Sequence, residues 1–273
     1  MTVNTVYAVY FSATGNTRRV ASLLANAVAQ ALEVPMETVD FTLPAAREEN
    51  YSFAEGDLVV FAPPTSAGKL PNKLLPYIQS GFAGNGALAV PVVTFGNRSY
   101  DNSLAELTAT LEANGFHTIA AGAFAAQHAF STTLAAGRPD ADDLRKVGEL
   151  GAAVVGKVVR MTQIPAPVVV KGDAAAPYYV PKGLDGEPKV FLKAKPKTDL
   201  ERCIGCGVCA NLCPMGSISR ENVADVTGVC IKCHSCVKNC PMGAKFFDDE
   251  AFLSHKAMLE RDFMRRAEAE IFH

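Results

Sequence analysis

The placement of the cysteines constrains this chain more than any other feature of its sequence. All eight lie between positions 203 and 240 of a sequence of 273 residues. A disulfide-stabilised protein distributes its cysteines through the fold that they hold together, whereas a block of this density indicates a local binding site. The sequence therefore predicts a small C-terminal region that is organised around thiolate ligands.

The cysteine block is an internal repeat of one motif. The first copy reads CIGCGVCANLCPMG from Cys203, and the second reads CIKCHSCVKNCPMG from Cys230. Three cysteines spaced two residues apart wrap one cube of iron and sulfide, while the fourth, followed by proline, reaches the other cube. We therefore assign two 4Fe–4S clusters: cluster I with Cys203, Cys206, Cys209 and Cys240, and cluster II with Cys230, Cys233, Cys236 and Cys213.

Zinc sites and disulfides are the competing interpretations of these cysteines. A zinc ribbon uses two CxxC pairs for one metal and does not require CxxCxxCxxxCP twice. The spacing favours iron–sulfur clusters, and it resembles that of bacterial two-cluster ferredoxins over about the last quarter of the chain. His234 lies inside the second copy, where four thiolates already complete the cluster, so we expect a solvent-facing residue near a sulfur.

Residues 1–162 predict a doubly wound α/β domain, because apolar runs typical of buried strands alternate with helical stretches. The predicted strands are Val6–Phe11, Met36–Phe41, Leu58–Ala62, Ala87–Thr94 and Thr118–Ala125. The predicted helices are Arg18–Leu32, Lys73–Gln79, Ser103–Asn114 and Ala141–Met161. Five such strands favour a parallel sheet in the order 2-1-3-4-5 over the six-stranded dinucleotide-binding fold.

Three further segments complete the predicted organisation. Residues 163–198 contain six of the sixteen prolines, which favours an extended linker, and their aromatic residues indicate that part of it packs between the domains. Residues 199–247 form the predicted cluster domain. Residues 248–273 predict a C-terminal helix, which we expect to dock on the chain itself through one stripe of Phe252, Leu259, Phe263 and Ile271.

A loop rich in hydroxyl groups follows the first predicted strand. It reads SATGNT from Ser12 to Thr17 and precedes a helix, whose N-terminal amides and dipole favour a phosphate monoester. The loop contains no lysine and matches neither GxxxxGK[ST] nor GxGxxG, so nucleoside triphosphates and dinucleotides fit it less well. The simpler alternative is that Asn16 or Thr17 only caps the helix.

The same loop resembles the (S/T)xTGNT phosphate loop of flavodoxins. That resemblance implies FMN, with its phosphate held by Ser12, Thr14, Gly15, Asn16 and Thr17. The loops after the third and fourth strands meet this one at the carboxyl edge of such a sheet. They imply a flavin ring held by Pro64, Thr65, Ser66, Ala67, Gly68, Phe95, Gly96, Asn97, Tyr100 and Asp101.

Two positions in these loops bear on how the flavin ring is covered. Tyr100 lies where flavodoxins stack an aromatic residue on the flavin. Ser66 stands where many flavodoxins carry another aromatic residue. This departure implies that one face of the flavin ring is left open.

The full layout resembles the flavodoxin–ferredoxin fusion proteins of anaerobic bacteria. The resemblance implies electron transfer through two clusters and FMN, between low-potential carriers and a redox partner such as a ferredoxin, a flavodoxin or a reductase. The alternative is an FMN enzyme that reduces a quinone, a nitroaromatic or another small acceptor. His128 would then donate a proton, although a loop histidine is more often a hydrogen-bonding residue.

Composition and charge argue against several other classes of protein. The formal net charge of −2 is unlike that of a protein that binds nucleic acid by neutralising phosphates. No segment approaches ~20 uninterrupted apolar residues, so we expect no membrane span. The chain begins almost directly with an apolar strand, so we expect no signal peptide and a cytoplasmic location.

Overall fold

The computed structural model of the chain describes residues 2–273, and its strands build one large sheet and two small ones. In chain order the strands are β1 (Thr5–Tyr10), β2 (Met36–Asp40), β3 (Tyr51–Ser52), β4 (Asp57–Ala62), β5 (Phe82–Ala83), β6 (Leu88–Phe95), β7 (His117–Thr118), β8 (Ala121–Ala125), β9 (Lys197–Thr198), β10 (Lys245–Phe246) and β11 (Glu270–Phe272). In the large sheet, parallel strands lie in the order β2-β1-β4-β6-β8. The predicted order 2-1-3-4-5 is therefore confirmed.

Helices cover both faces of the large sheet. They are α1 (Asn16–Leu32), α2 (Leu75–Ser80), α3 (Ser103–Ala113), α4 (Ala141–Arg160), α5 (Val208–Asn211), α6 (Ser235–Lys238) and α7 (Glu250–Asp262), with a 3₁₀ turn at Pro44–Arg47. Residues at helical spacing on α1 and α4, such as Leu24 and Leu150, pack on one face. Residues of α2 and α3 pack on the other face. Strand β6 is consequently buried along its whole length, as in other doubly covered parallel sheets.

The C-terminal segment corrects one prediction. Helix α7 ends at Asp262, and the residues from Glu270 to Phe272 form β11, which pairs antiparallel with β8. Phe252 and Leu259 do dock on the chain itself. Ile271 shares their helical stripe by position only, because it packs against the α/β core from the sheet edge. A strand of three residues is too short for periodicity to distinguish it from a helix end.

The cysteine block contains little regular structure. The short helices α5 and α6 occupy the same position in the two copies of the repeat, and β9 pairs antiparallel with β10. The buried residues of its own hydrophobic cluster are few, and two of them, Cys209 and Cys236, are predicted ligands. A core this small does not hold a domain together without bound ligands or staples.

The proline-rich segment 163–198 runs along the loop that follows β4. The backbone N–H of Tyr179 donates to the carbonyl of Ala67 at 2.8 Å. Lys69 Nζ donates to the carbonyl of Ala174 at 2.7 Å. This part of the segment is therefore packed against the α/β domain.

Candidate functional site

The four cysteines that the repeat assigns to cluster I surround one cavity. Its lining includes Cys203, Cys206, Cys209 and Cys240. Cys206 is exposed, and the adjacent Ile204 keeps 65% of its surface exposed. One side of this cavity therefore lies at the protein surface.

A second cavity is lined by the other four cysteines, Cys213, Cys230, Cys233 and Cys236. None of these four is exposed. Ile231, between the first two cysteines of the second copy, packs against the hydrophobic core of the α/β domain. Within residues 2–273, no three His, Cys, Asp or Glu side chains lie close enough to share a single metal ion.

Hydrogen bonds to sulfur repeat with the sequence motif. The fourth cysteine of each copy accepts from the backbone N–H four residues later: Ser217 to Cys213 at 3.3 Å, and Ala244 to Cys240 at 3.2 Å. Burial raises the pKa of the Cys233 thiol to about 12. Such a thiol keeps its proton at neutral pH unless a metal displaces it. The N–H donors to Cys213 and Cys240 suit thiolates that are bound to metal.

His234 is buried rather than solvent-facing, which corrects the prediction for this residue. It adopts a φ of 60° where the first copy has Gly207, and only 6% of its surface is exposed. Its ring stacks on Phe247 with centroids 4.6 Å apart, and it lies 5.1 Å from the ring of Phe130. Burial lowers the pKa of His234 to about 3, so the ring is neutral at pH 7. This residue belongs to the contact between the two domains.

The loop after β1 has the geometry that the phosphate prediction requires. Gly15, with a φ of 89°, is the N-cap of α1 and has no side chain with which to cap the helix. The alternative that Asn16 or Thr17 serves as the N-cap is therefore wrong. The Ser12 hydroxyl accepts from the N–H of Arg18 at 3.0 Å. Among residues 2–273, the backbone N–H groups of residues 13–17 have no acceptor.

The loops after β4 and β6 touch each other, as predicted for neighbouring strands. A Cβ atom at Gly68 would lie 2.3 Å from Asp101 Oδ2, so only glycine fits at this position. Ala67, Asn97 and Asp101 all have φ between 41° and 70°. Left-handed backbone at residues other than glycine costs free energy and concentrates at functional sites. Ser66 is exposed, consistent with the expectation of an open face.

The other predicted ring-binding residues differ in whether they could contact a flavin ring. Tyr100 is 7% exposed and packs against Phe95, with ring centroids 5.5 Å apart, so it offers no open face for stacking. Pro64, Thr65 and Gly96 do lie at the carboxyl edge: Pro64 and Thr65 pair with Thr94 in β6, and Gly96 lies beneath the ring of His128. Sequence position alone does not reveal that Tyr100 points inward.

Asn97 holds the C-terminal segment and is not free to bind a flavin. Its Nδ2 group donates to the carbonyls of Phe263 at 2.6 Å and Arg265 at 2.8 Å. Its Oδ1 atom accepts from the N–H of Ala267 at 3.2 Å and from Arg138 at 3.1 Å. All the hydrogen-bonding capacity of this buried amide is used within the chain.

We expect the Asn97→Ala substitution to destabilise the protein by about 2–4 kcal/mol, because it leaves buried polar groups unpaired. Urea unfolding should show a lower midpoint, and limited proteolysis should cut residues 263–273 more readily. Asn222→Ala is the matched control, since Asn222 is exposed and bonds only within its own turn. Equal stability of the two variants would contradict this role.

His128 lies between the flavin loops and the cysteine block. Its Nδ1 atom accepts from the N–H of Phe130 at 3.1 Å, so the ring hydrogen resides on Nε2. Burial, and then the nearby His255 and Lys238, lowers the pKa of His128 to about 3. A Cβ atom at Gly96 would lie 2.2 Å from its Cδ2 atom. The residue is thus a neutral hydrogen-bonding group directly above a predicted flavin loop.

Sequence reasoning missed two residues that join the domains. The ring of Phe130 lies 4.9 Å from the His128 ring and 4.8 Å from the Phe252 ring. Lys238, in α6, donates to the backbone carbonyl of His128 at 2.8 Å. No local pattern marks either residue, because each joins the domains through a partner that is distant in sequence. Together they set the cysteine block against the loop that follows β8.

Comparison with known proteins supports the assignment of the cysteine block. Residues 195–241 match the 4Fe-4S dicluster domain, and this range contains all eight cysteines. The cysteine block is therefore an iron–sulfur domain. No curated protein matches the chain. No helix within residues 2–273 is long and apolar enough to cross a membrane.

Solved structures similar to this chain include two flavodoxins and one larger enzyme. A flavodoxin from the domain Archaea is 15% identical, with 57% of this chain and 99% of that chain covered and a TM-score of 0.39. Flavodoxin 2 from Bacillus cereus is 13% identical, with the same coverage and TM-score. Rubredoxin oxygen:oxidoreductase from the anaerobe Desulfovibrio gigas is 16% identical, with 59% of this chain and 38% of that chain covered and a TM-score of 0.39.

Proposed function

We propose that this chain is an electron-transfer iron–sulfur flavoprotein that binds two 4Fe–4S clusters and FMN. The observation that carries the proposal is the grouping of the cysteines. Each cavity is lined by three cysteines of one copy of the repeat and the fourth cysteine of the other copy. This crossed pattern is that of two-cluster ferredoxins, and a zinc ribbon does not need it.

The loop after β1 supports a phosphate-bearing cofactor. Unpaired amides at residues 13–17 and the hydroxyls of Ser12 and Thr14 suit a phosphate monoester at the N-terminus of α1. Ser66, Ala67 and Gly68 would lie beside the flavin ring, whereas Tyr100 and Asn97 have other partners. When bound, the clusters supply one-electron transfer and FMN supplies exchange of one or two electrons.

The position of the cysteine block supports different roles for the two cluster sites. The cluster II site packs against the α/β domain through Ile231, and Lys238 of the same block bonds His128 in the loop that follows β8. The cluster I site opens to the surface beside exposed apolar residues, Leu200, Ile204 and Met242. Apolar surface of this kind suits the docking of another protein. We infer that a redox partner protein meets cluster I and that cluster II adjoins the FMN.

We expect protein purified without oxygen to contain about eight irons and eight acid-labile sulfides per chain. Acid should release FMN, which chromatography distinguishes from FAD. Zinc in place of iron, or near four irons in undamaged protein, would contradict the two-cluster proposal. Release of FAD would contradict the one-phosphate assignment of the loop after β1.

Reduction of a small acceptor at the flavin is the second candidate function. The exposed position of Ser66 favours it, because a small molecule would have access to that face. His128 is a poor acid, since its ring is neutral at pH 7. Turnover of quinones and nitroaromatics by the intact protein distinguishes the candidates: an electron carrier shows little turnover without a partner protein.

A further inference from the structure

Arg47, in the 3₁₀ turn after β2, joins the α/β domain to the cysteine block. Its Nη1 group donates to the carbonyls of Phe41 at 2.8 Å and Thr42 at 2.6 Å. Its Nη2 group donates to the carbonyl of Pro214, which directly follows Cys213. One guanidinium group therefore binds both the end of β2 and the turn that carries a proposed ligand of cluster II.

The same set of contacts extends to the proposed phosphate loop. Thr42 Oγ1 accepts from the backbone N–H of Ser12 at 2.8 Å. The guanidinium of Arg47 also lies 6.0 Å from the ring centroid of Phe11. A continuous path of short contacts thus leads from Ser12 through Thr42 and Arg47 to Pro214.

The packing around Arg47 and the chemistry of its side chain both favour arginine over lysine at this position. A Cβ atom at Gly216 would lie 3.5 Å from Pro44 Cγ, so the turn after Cys213 runs close to the same 3₁₀ turn. Burial lowers the pKa of Arg47 from its ordinary value, but a guanidinium keeps its charge in proteins. Its planar fork serves three carbonyls at once, which the single ammonium of lysine does not reproduce.

We propose that Arg47 is a positioning residue that fixes the Cys213 turn, and with it cluster II, relative to the phosphate loop of the FMN site. This inference rests on the proposed function. Removing the guanidinium breaks three charge-assisted hydrogen bonds, of which the one to Pro214 reaches the cysteine block, so this block separates from the edge of the sheet more often. The cysteines and the phosphate loop themselves are unchanged.

The test compares Arg47→Met, Arg47→Lys and the control Arg145→Met in the full, cofactor-loaded chain. Arg145 is an exposed residue of α4 that pairs with Glu149 on the same helix. In the Met variant of Arg47, hydrogen exchange at residues 40–47 and 213–218 should accelerate by about tenfold or more. Reduction of the flavin by a reduced ferredoxin should also slow, while iron, sulfide and FMN contents remain those of the wild type. Arg47→Lys should recover only part of both losses.

Each result tests either the positioning role of Arg47 or the proposed function of the chain. Unchanged exchange in Arg47→Met protein would overturn the role of Arg47. Faster exchange with wild-type flavin reduction would also overturn it, because Arg47 would then be a structural contact without a positioning effect. Wild-type protein that lacks iron or FMN after anaerobic purification would instead refute the proposed function, whatever the variants show.

Discussion

Cys213→Ala protein should lose the cluster next to the flavin and, with it, rapid reduction of the flavin by an external protein. Cys213 belongs to the first copy of the repeat but lines the cavity formed by Cys230, Cys233 and Cys236. The structure places that cavity against the α/β domain. Iron content should fall from about eight to about four per chain, because one cluster loses a ligand.

Cys240→Ala is the matched comparison, since it removes the corresponding cysteine of the second copy. Cys240 lines the surface cavity with Cys203, Cys206 and Cys209, so this variant should lose cluster I instead of cluster II. Iron content should fall by the same amount. Transfer of electrons from a partner protein into the chain should fail in this variant. Electrons that reach cluster II directly should still pass to the flavin.

Stopped-flow mixing with a reduced ferredoxin, followed at flavin and cluster wavelengths, compares the two variants. It distinguishes the loss of cluster II from the loss of cluster I. Direct photoreduction of each variant then tests electron transfer from cluster II to the flavin without the partner protein. If the flavin keeps its wild-type rate of reduction in both variants, the clusters do not deliver electrons to it. If photoreduced Cys240→Ala protein also fails to reduce its flavin, the proposed order of the two clusters is wrong.

Thr14→Asp protein should bind FMN far more weakly than the wild type. A carboxylate about 4 Å from the phosphate costs about 4 kcal/mol at an effective dielectric constant near 20, or roughly a thousandfold in the dissociation constant. The fold should tolerate the substitution, because Thr14 is partly exposed. A negative charge next to the N-terminus of α1 also favours that helix.

Thr14→Asn is the control, since asparagine has the shape of aspartate without its charge. Fluorescence titration of the cofactor-free proteins measures both dissociation constants. The Asn variant should bind FMN within about tenfold of the wild type, because a neutral side chain keeps a hydrogen bond of about 1 kcal/mol. Similar weakening in both variants would show that shape rather than charge controls binding. Wild-type affinity in Thr14→Asp protein would place the phosphate elsewhere.

The prediction of the sheet from sequence was accurate because its signals are local. Strands β1, β4, β6 and β8 are apolar runs, and helix α4 shows helical spacing, as at Leu150 and Val154. The rules for doubly wound sheets then limit the strand order. Strand β11 was missed because three residues carry no usable periodicity, and its place at the edge depends on Asn97 holding the segment before it.

The errors at the candidate site share one physical cause. Tyr100 occupies the expected loop, yet its ring turns inward against Phe95. His234 lies in a cysteine loop, yet it is buried against Phe247. In both cases sequence position gave the loop correctly, while the direction of the side chain depended on what the rest of the chain packs against it.

The features that one loop or one repeat specifies could be predicted from the sequence. The spacing of the cysteines predicts which thiols share a cavity. The SATGNT loop predicts unpaired backbone amides at the start of α1. Which of the two cavities faces the α/β domain follows from the folded chain and not from local spacing. The contact between the two regions includes Arg47, Phe130 and Lys238, and each of these residues meets a partner more than 100 residues away along the chain. Local spacing encodes backbone geometry within a loop, whereas docking requires complementary surfaces that form only when distant segments meet.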